Sequence, residues 1–339
     1  MKLIKTADAV GHVLCHDITR IIPGVSKGAV FRKGHIVQKE DIPVLLSCGK
    51  ENLYVWERTE GMLHEDEAAE ILARICTHGA DTMTASAPIE GKTEIRAATD
   101  ALLTVNSTLL NRVNALGEIS IATIHGGFPV TAGDRLAAAR VIPLVIEKEK
   151  LDTAEKLCGE PLLCVRPFRK IRAGIVTTGS EVFHGRIKDA FGPVLKKKLA
   201  EYDADIIGQT IVPDKKELIT DAILSFINGG ADMVLCSGGM SVDPDDCTPG
   251  AIKEAGAEIV TYGAPVIPGA MFLLGYCGDI AVVGLPGCVM YAGRTIFDLI
   301  LPRLIAGERL TADDITVYGE GGLCLSCEVC TFPHCGFGK

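Results

Sequence analysis

The chain has 339 residues, a formal net charge of −9 at pH 7 and 47% hydrophobic residues, a composition typical of a globular protein with several domains. A negatively charged chain has no general attraction for nucleic-acid phosphates or anionic lipids. No apolar run is long enough to span a bilayer, and residues 1–5 lack the apolar core of a signal peptide. We therefore expect a cytoplasmic protein with no nucleic-acid partner and no membrane partner.

Residues 1–60 are predicted to form a β-rich N-terminal segment, because short β-like runs alternate there with glycines. Residues 28–37 have the pattern of a hairpin, and residues 52–56 have the pattern of a strand. Between them, residues 40–47 have the pattern of a short helix. Gly49 follows this helix and is suited to closing it as a C-cap.

Residues 61–166 are predicted to form a middle α/β domain of unknown role. Apolar residues at 67–78 and at 97–116 recur at the three- and four-residue spacing of a helix face. Residues 119–124 and 141–146 are rich in β-branched side chains and predict strands. No motif in this segment assigns it an activity.

Residues 167–310 alternate between short apolar runs and helical patterns. This alternation predicts an α/β fold with a largely parallel sheet that is covered on both faces. The predicted strands lie at 173–176, 205–212, 232–236 and 281–283. The helices between them have continuous apolar faces, which are suited to packing on such a sheet.

Four glycine-bearing turns punctuate this segment, at 177–181, 237–241, 268–269 and 285–287. In parallel sheets, ligands bind beyond the carboxyl ends of the strands, where glycines let backbone amides approach an anion. Glu181 lies in the first turn and Asp246 lies behind the second, and carboxylates are suited to Mg²⁺. The alternative is structural: Asp246 would cap a helix that starts near Cys247, and Glu181 would be a surface residue.

Together, the motifs Thr-Thr-Gly-Ser-Glu, Ser-Gly-Gly-Met-Ser, Pro-Gly and Leu-Pro-Gly resemble the molybdopterin-binding domain of the MoeA/MogA superfamily in their order and spacing. The resemblance covers residues 171–306. It implies a three-layer α/β/α domain, accompanied here by a smaller mixed β/α N-terminal region. It also implies that the ligand is molybdopterin or the molybdenum cofactor. The implied activity is that of a molybdopterin molybdotransferase, which inserts molybdate into molybdopterin with Mg²⁺.

Matched residue by residue, the resemblance makes Glu181, Asp214 and Asp246 the catalytic carboxylates on the metal or molybdate side. The residues matched to cofactor binding are Thr178, Gly179, Ser180, Gly238, Gly239, Ser241, Gly269 and Gly287. The superfamily includes dimers and trimers, so it implies a homo-oligomer. It further implies partners among other cofactor-assembly proteins or a molybdoenzyme.

The chain also departs from the family pattern. No lysine follows Pro268-Gly269, and the Asn-Pro that usually follows Leu-Pro-Gly is replaced by Cys288-Val289. The usual Asp-Ser-Asn appears as Asp-Ala-Phe at 189–191. These departures leave a second hypothesis, a non-catalytic carrier or sensor of the molybdenum cofactor. A third hypothesis is a redox or iron–sulfur protein whose pterin-binding fold binds no pterin.

The last segment, residues 311–339, is predicted to be a cysteine-rich metal-binding tail. Cys324, Cys327, Cys330 and Cys335 lie within twelve residues, and the triplet spacing lets three thiolates converge on one centre. Both iron–sulfur clusters and Zn²⁺ use such ligands, and spacing alone does not choose between them. Disulfides are the alternative, although they are rare in the cytoplasm.

Overall fold

The computed structural model describes residues 2–22, 26–55, 60–241, 243 and 246–339. Contacts divide the chain into two compact units. The first comprises residues 1–98, 105–124 and 133–164, and the second comprises residues 99–104, 125–132 and 165–339. No helix in the described part of the chain is long and apolar enough to cross a membrane.

Residues 2–55 form a small structure with its own apolar core. Its elements are β1 (Lys2–Lys5), β2 (Ile18–Ile22), β3 (Ser26–Phe31), α1 (Ile42–Ser47) and β4 (Asn52–Val55). Strand β1 pairs with β4 and β2 pairs with β3, both antiparallel. The predicted short helix and the strand at 52–55 are present, and residue 56 lies outside the described residues. The predicted hairpin at 28–37 is wrong, because β3 pairs with the preceding strand β2.

Residues 60–167 contain most of the antiparallel sheets. Their elements are β5 (Met62–His64), α2 (Glu65–Thr77), β6 (Met83–Ala85), β7 (Lys92–Ala97), β8 (Ala101–Val105), α3 (Ser107–Asn114), β9 (Ile119–Thr123), β10 (Phe128–Val130), β11 (Arg135–Val141), β12 (Val145–Glu147), α4 (Lys148–Leu157) and β13 (Leu163–Pro167). The sheets have the strand orders β6-β7-β11-β9, β12-β5 and β10-β8-β13.

The predicted helix at 97–116 is wrong in its first half. Residues Ala101–Val105 form strand β8, which pairs with β10, and the helix α3 begins only at Ser107. Asn106 separates the two elements, and its side-chain oxygen accepts the backbone N–H of Leu109 at 3.0 Å. A run of Ala, Leu and Val suits either element, so pairing with a neighbouring strand settles its conformation.

Residues 168–339 contain the largest sheet and the helices on its faces. The elements are β14 (Arg172–Thr178), α5 (Ser180–Phe183), α6 (Phe191–Ala200), β15 (Asp205–Val212), α7 (Lys216–Asn228), β16 (Met233–Ser237), α8 (Thr248–Glu254), β17 (Glu258–Tyr262), β18 (Leu273–Cys277), β19 (Ile280–Leu285), α9 (Ile296–Ile305) and α10 (Ala312–Thr316). The strand order is β15-β14-β16-β19-β18-β17, in which the first four strands run parallel. Strands β18 and β17 complete the sheet in antiparallel fashion.

Helices cover both faces of this sheet. Successive side chains of a strand point to opposite faces, and Ile175 of β14 lies in one apolar cluster whereas Val176 lies in another. The first cluster includes residues of α6 and α9, and the second includes residues of α7 and α8. The layers are therefore helix, sheet and helix, which confirms the predicted three-layer α/β/α class.

One charged pair is buried in the helix layer that contains α6 and α9. Lys198 Nζ donates to Asp298 Oδ1 at 2.5 Å, and the two residues are only 7% and 5% exposed. Asp298 also accepts from Arg294 Nη1 and from the backbone N–H of Thr295, each at 2.8 Å. Asp298 thus joins the start of α9 to α6.

Replacing Lys198 by methionine is expected to destabilise the fold, because it leaves a buried carboxylate with one cation fewer. Breaking a buried pair costs roughly 3–5 kcal/mol. Arg294 still contacts Asp298, so the loss is expected at the lower end of that range. Urea unfolding measures it. Lys197→Met, at an exposed position of the same helix, is the matched control. Equal midpoints for both variants would contradict the structural role of the pair.

Candidate functional site

A cavity of about 390 Å³ lies beyond the carboxyl ends of β14, β15 and β16. Because these strands run parallel, their following turns meet at one edge of the sheet. We call this the carboxylate cavity. Its lining residues are Thr178, Gly179, Glu181, Val182, Ile187, Lys188, Asp189, Ala190, Phe191, Asp214, Gly238, Gly239, Asp243, Asp246 and Met290.

Two glycines after β16 allow the chain to pass close to the turn after β14. Gly238 has φ +92°, and a Cβ at this position would lie 2.3 Å from the backbone oxygen of Thr178. Gly239 has φ +57°, and its Cβ would lie 2.8 Å from Thr248 Oγ1. Side chains rarely adopt such φ values, and the space is already filled. Only glycine therefore fits at either position without strain.

The hydroxyl of Thr248 holds this turn against the start of α8. Thr248 Oγ1 donates to the backbone oxygen of Gly238 at 2.8 Å and lies 3.4 Å from Thr178 Oγ1. The backbone N–H of Thr248 donates to the backbone oxygen of Gly239 at 3.2 Å. Thr248 is fully buried. Sequence reasoning missed this residue, because a threonine at a helix start suggests no contact with a distant turn.

Asp214 orders the turn after β14. Its Oδ2 accepts the backbone N–H of Ser180 at 2.7 Å, and its own N–H donates to Ser180 Oγ at 3.4 Å. This reciprocal contact fixes the start of α5, from which Glu181 lines the cavity. Ser180 itself is not among the lining residues, so in this structure it contributes by holding Asp214.

Asp246 has a carboxylate oxygen that no described residue contacts through a hydrogen bond. Its Oδ2 is buried and has no hydrogen-bond partner among the described residues, a rare state for a buried polar atom. Helix α8 has Cys247 at its N-cap, one residue after Asp246, and the side chain of Cys247 makes no capping hydrogen bond. The neighbouring Pro244 and Asp245 lie outside the described residues.

The carboxylate of Asp246 also affects a nearby phenol. Tyr262 donates its hydroxyl proton to the backbone oxygen of Met240 at 2.9 Å. Burial raises the pKa of Tyr262 above its ordinary value, and the negative charge of Asp246 raises it further. Tyr262 therefore remains a neutral hydrogen-bond donor that supports the turn containing Met240.

Two lining residues that the sequence analysis did not assign to the site precede α6. Asp189 accepts the backbone N–H of Phe191 at 2.9 Å and the side-chain amide of Gln209 at 2.6 Å, so it caps α6 and joins it to β15. Lys188 is exposed and is the one lysine in the described lining of the cavity. The sequence did contain one sign that Asp189 could belong to the site: it is the first residue of Asp-Ala-Phe at 189–191, which replaces the Asp-Ser-Asn of the family.

The charge of the cavity is strongly unbalanced. Its described lining carries five carboxylates, from Glu181, Asp189, Asp214, Asp243 and Asp246, against one lysine. An anionic ligand would be repelled by this surface unless a cation entered with it, because like charges at short range disfavour each other. The arrangement favours oxygen coordination of a hard divalent cation.

Besides Ser180, three other predicted binding residues do not line this cavity. Ser241 is exposed. Gly269 packs against Ile296, and a Cβ on Gly269 would lie 2.5 Å from Ile296 Cγ2. Gly287 starts a short 3₁₀ turn, Gly287–Met290, whose last residue does reach the cavity. Of the two Pro-Gly turns, only the segment that starts at Gly287 contributes to the described lining, through Met290.

A second cavity, of about 590 Å³, lies at the C-terminal tail. All four tail cysteines line it, together with Pro268 and residues 291–294. We call it the cysteine cavity. The four cysteines form no disulfide. Within the described ranges, no group of three or more His, Cys, Asp or Glu side chains is close enough to hold a metal ion.

Comparisons with known families match two segments. Residues 174–306 match the family described as "Probable molybdopterin binding domain". Residues 3–57 match a family described as "Domain of unknown function (DUF8806)".

Curated relatives resemble only part of the chain. A CinA-like protein of Mycobacterium avium (strain 104) is 36% identical over 90 residues, which is 26% of this chain and 21% of the relative. The molybdopterin molybdenumtransferase of Haemophilus influenzae is 26% identical over 147 residues, or 41% of this chain and 36% of the relative. The chain thus spans between about a fifth and a third of the length of these relatives.

Among solved structures, the molybdopterin biosynthesis enzyme MoaB of Thermus thermophilus is similar, with 20% identity and a TM-score of 0.33. The match covers 41% of this chain and 98% of that one. The tungsten cofactor synthesizing protein MoaB of Pyrococcus furiosus has 23% identity and a TM-score of 0.31, with 35% and 84% of the two chains covered.

Proposed function

We propose that the protein binds molybdopterin in the carboxylate cavity and acts in molybdenum cofactor biosynthesis, because residues 174–306 match the family described as "Probable molybdopterin binding domain". The observation that supports the site most directly is the buried Oδ2 of Asp246, which has no hydrogen-bond partner among the described residues. It lies at a cavity with five carboxylates and one lysine in its described lining. A buried carboxylate oxygen without a partner is costly unless a ligand satisfies it.

Mg²⁺ is the cation that this donor set suits. The proposed ligands are Asp246, Asp214 and Glu181, which are oxygen donors at one cavity. Mg²⁺ takes oxygen ligands and usually binds through one or two carboxylates together with substrate phosphates and water. When bound, it would supply positive charge that neutralises the phosphate and molybdate oxygens. This accounts for an anion binding at an acidic surface.

The remaining residues of the cavity would bind and orient the ligand. We propose that the phosphate contacts the backbone at Gly179, Gly238 and Gly239. A side chain at these positions would fill the space or strain the turn. Asp214 keeps the first turn in position through Ser180, and Thr248 keeps the second in position through Gly238. The site would then be preorganised, so that little ordering is needed when the ligand binds.

The proposed reaction is the insertion of molybdate into molybdopterin, catalysed by electrostatic stabilisation. Glu181, Asp214 and Asp246 would position the divalent cation, and the protein would hold molybdate beside the dithiolene sulfurs. Molybdate is then a substrate, and the protein is a molybdotransferase-like enzyme. We include in this proposal a homo-oligomer in the cytoplasm, with cofactor-assembly proteins or a molybdoenzyme as further partners.

A non-catalytic carrier or sensor of the cofactor is the second candidate. One observation favours it: Pro268, in the turn that departs from the family by lacking a lysine, lines the cysteine cavity and not the carboxylate cavity. For the tail we propose a metal centre held by Cys324, Cys327, Cys330 and Cys335, with an iron–sulfur cluster and Zn²⁺ as the candidates. A carrier would use this centre to respond to redox state or metal supply.

Titration of the full chain with molybdopterin under anaerobic conditions tests the proposal. We expect binding that strengthens with Mg²⁺ and weakens when the metal is chelated. Molybdate added to the complex then separates the two candidates, because only the transferase converts molybdopterin into the molybdenum cofactor. Absence of molybdopterin binding both with and without Mg²⁺ would refute transferase and carrier alike.

A further inference from the structure

The cysteine tail is docked on the body of the second unit. The backbone N–H of Cys324 donates to the oxygen of Ile267 at 2.8 Å, and the N–H of Ile267 donates to the oxygen of Gly322 at 2.8 Å. At the other end, the N–H of Gly338 donates to the oxygen of Gly321 at 2.9 Å. Residues 321–338 therefore form a closed loop, attached to the turn that contains Pro268.

Aromatic side chains fix the interior of this loop. Phe337 is 4% exposed and belongs to the main apolar cluster. The ring of Phe332 packs edge-on against Phe337 at 6.1 Å and against Phe128 at 5.9 Å. The guanidinium of Arg294 lies 4.9 Å from the centre of the Phe332 ring. The loop is thus held on both sides of its cysteines.

The lining of the cysteine cavity has the chemistry of a soft-ligand site. All four tail thiols line it, whereas its described lining contains no aspartate and no glutamate. Its other lining side chains are mainly apolar, and Arg294 is the one charged residue among the described lining. Thiolates select soft metals and iron–sulfur clusters.

The spread of the cysteines separates two kinds of centre. Zn²⁺ needs its thiolates about 2.3 Å from a single ion. In the described chain, no three His, Cys, Asp or Glu side chains are placed so that they could hold one metal ion. The thiols instead surround a space of about 590 Å³. An iron–sulfur cluster is a body of several iron and sulfur atoms, and its four thiolate ligands are divided among its irons and need not converge on one point.

We infer that the cysteine cavity binds one iron–sulfur cluster, ligated by Cys324, Cys327, Cys330 and Cys335. The Cys-x₂-Cys-x₂-Cys run resembles the spacing used by bacterial iron–sulfur sites, and the docked loop brings Cys335 to the same space. This assignment does not depend on molybdopterin binding.

The cluster would lie beside the ligand site. The short segment 290–294 borders both cavities: Met290 lines the carboxylate cavity, and residues 291–294 line the cysteine cavity. The inferred cluster and the proposed molybdopterin site are thus separated by the segment 290–294. No residue proposed to bind the cluster is also proposed to bind molybdopterin.

Anaerobic reconstitution of the full chain with iron and sulfide tests the inference. We expect iron and acid-labile sulfide to bind in similar amounts, with the visible absorption of a cluster. The Cys327→Ser variant is expected to bind the cluster at least about 10-fold more weakly than the wild type, and therefore to retain much less iron. Loss of a ligand should reduce the affinity at least as much as loss of a residue that supports a ligand. Cys327 is exposed, so its thermal unfolding without metal should match that of the wild type.

Cys48→Ser, at a partly buried cysteine of the first unit, is the matched control and should bind iron normally. One zinc per chain without sulfide, from protein offered both metals, would overturn the inference. So would absence of any metal, or equal loss of iron in both variants. Molybdopterin affinity measured on the same preparations is a separate readout, so failure of the pterin proposal would not be mistaken for failure of the cluster.

Discussion

Replacing Asp246 by asparagine is expected to weaken Mg²⁺-dependent molybdopterin binding by roughly 10- to 100-fold. Hydrogen bonds and contacts to a charged group contribute about 1.5–3 kcal/mol, and about 1.4 kcal/mol corresponds to tenfold in affinity. Asparagine keeps the shape of the side chain but removes the charge from a buried carboxylate whose Oδ2 has no partner among the described residues. Titration calorimetry at fixed Mg²⁺ concentration measures the effect.

The Asp246→Asn variant is expected to affect molybdopterin affinity differently with and without Mg²⁺. Without Mg²⁺, the described lining of the wild-type cavity presents five carboxylates to an anionic ligand, so removing one should leave the affinity equal or higher. A general folding defect would instead weaken binding in both conditions. Asp221→Asn, at an exposed position of α7, makes the same charge change away from the cavity and is the control. Unchanged Mg²⁺-dependent binding in the Asp246 variant would exclude a metal-binding role for this residue.

Replacing Gly238 by alanine is expected to destabilise the domain by about 2–6 kcal/mol and to abolish tight ligand binding. A non-glycine residue at a positive φ costs about 1–3 kcal/mol, and overpacking costs a further 1–3 kcal/mol. Here φ is +92° and the new Cβ would lie 2.3 Å from the backbone oxygen of Thr178, which cannot rotate away. Denaturant unfolding and molybdopterin titration measure the two effects.

Gly287→Ala is the matched control for this prediction. Both glycines were assigned to cofactor binding by the same resemblance, but a Cβ at Gly287 meets nothing within 4 Å, and its φ is not in the left-handed range. Its effect on stability is expected to stay within about 0.5 kcal/mol. If the two variants unfolded at the same denaturant concentration, the close approach of the two turns would not be important for the fold.

The sheet of the second unit was predictable because its signals are local. Residues 173–176 and 281–283 are short apolar runs followed by glycine turns, and the structure places strands over both. The antiparallel strands β17 and β18 were not predicted, since nothing local distinguishes Leu273–Cys277 from another buried segment. The error at 101–105 has the same origin, because an apolar run does not state its pairing partner.

The site was predictable to the extent that motifs follow strands. Thr178, Glu181, Asp214, Gly238 and Asp246 line one cavity, as expected for turns at one edge of a parallel sheet. Their roles in binding and catalysis remain predictions. Gly269 and Gly287 lie outside the described lining. The sequence could not show this, because a shared motif does not indicate the direction in which its turn faces.

The class of the fold, the turns that end its central strands and the four soft ligands in the tail could be read from the residues alone, since all of these depend on residue type and spacing. The folded chain was needed to see that Lys188 and Asp189 line the cavity, that Thr248 holds Gly238, and that the tail is attached beside Pro268. These contacts join residues far apart in the chain or depend on how a turn faces. Packing, and not local preference, sets their geometry.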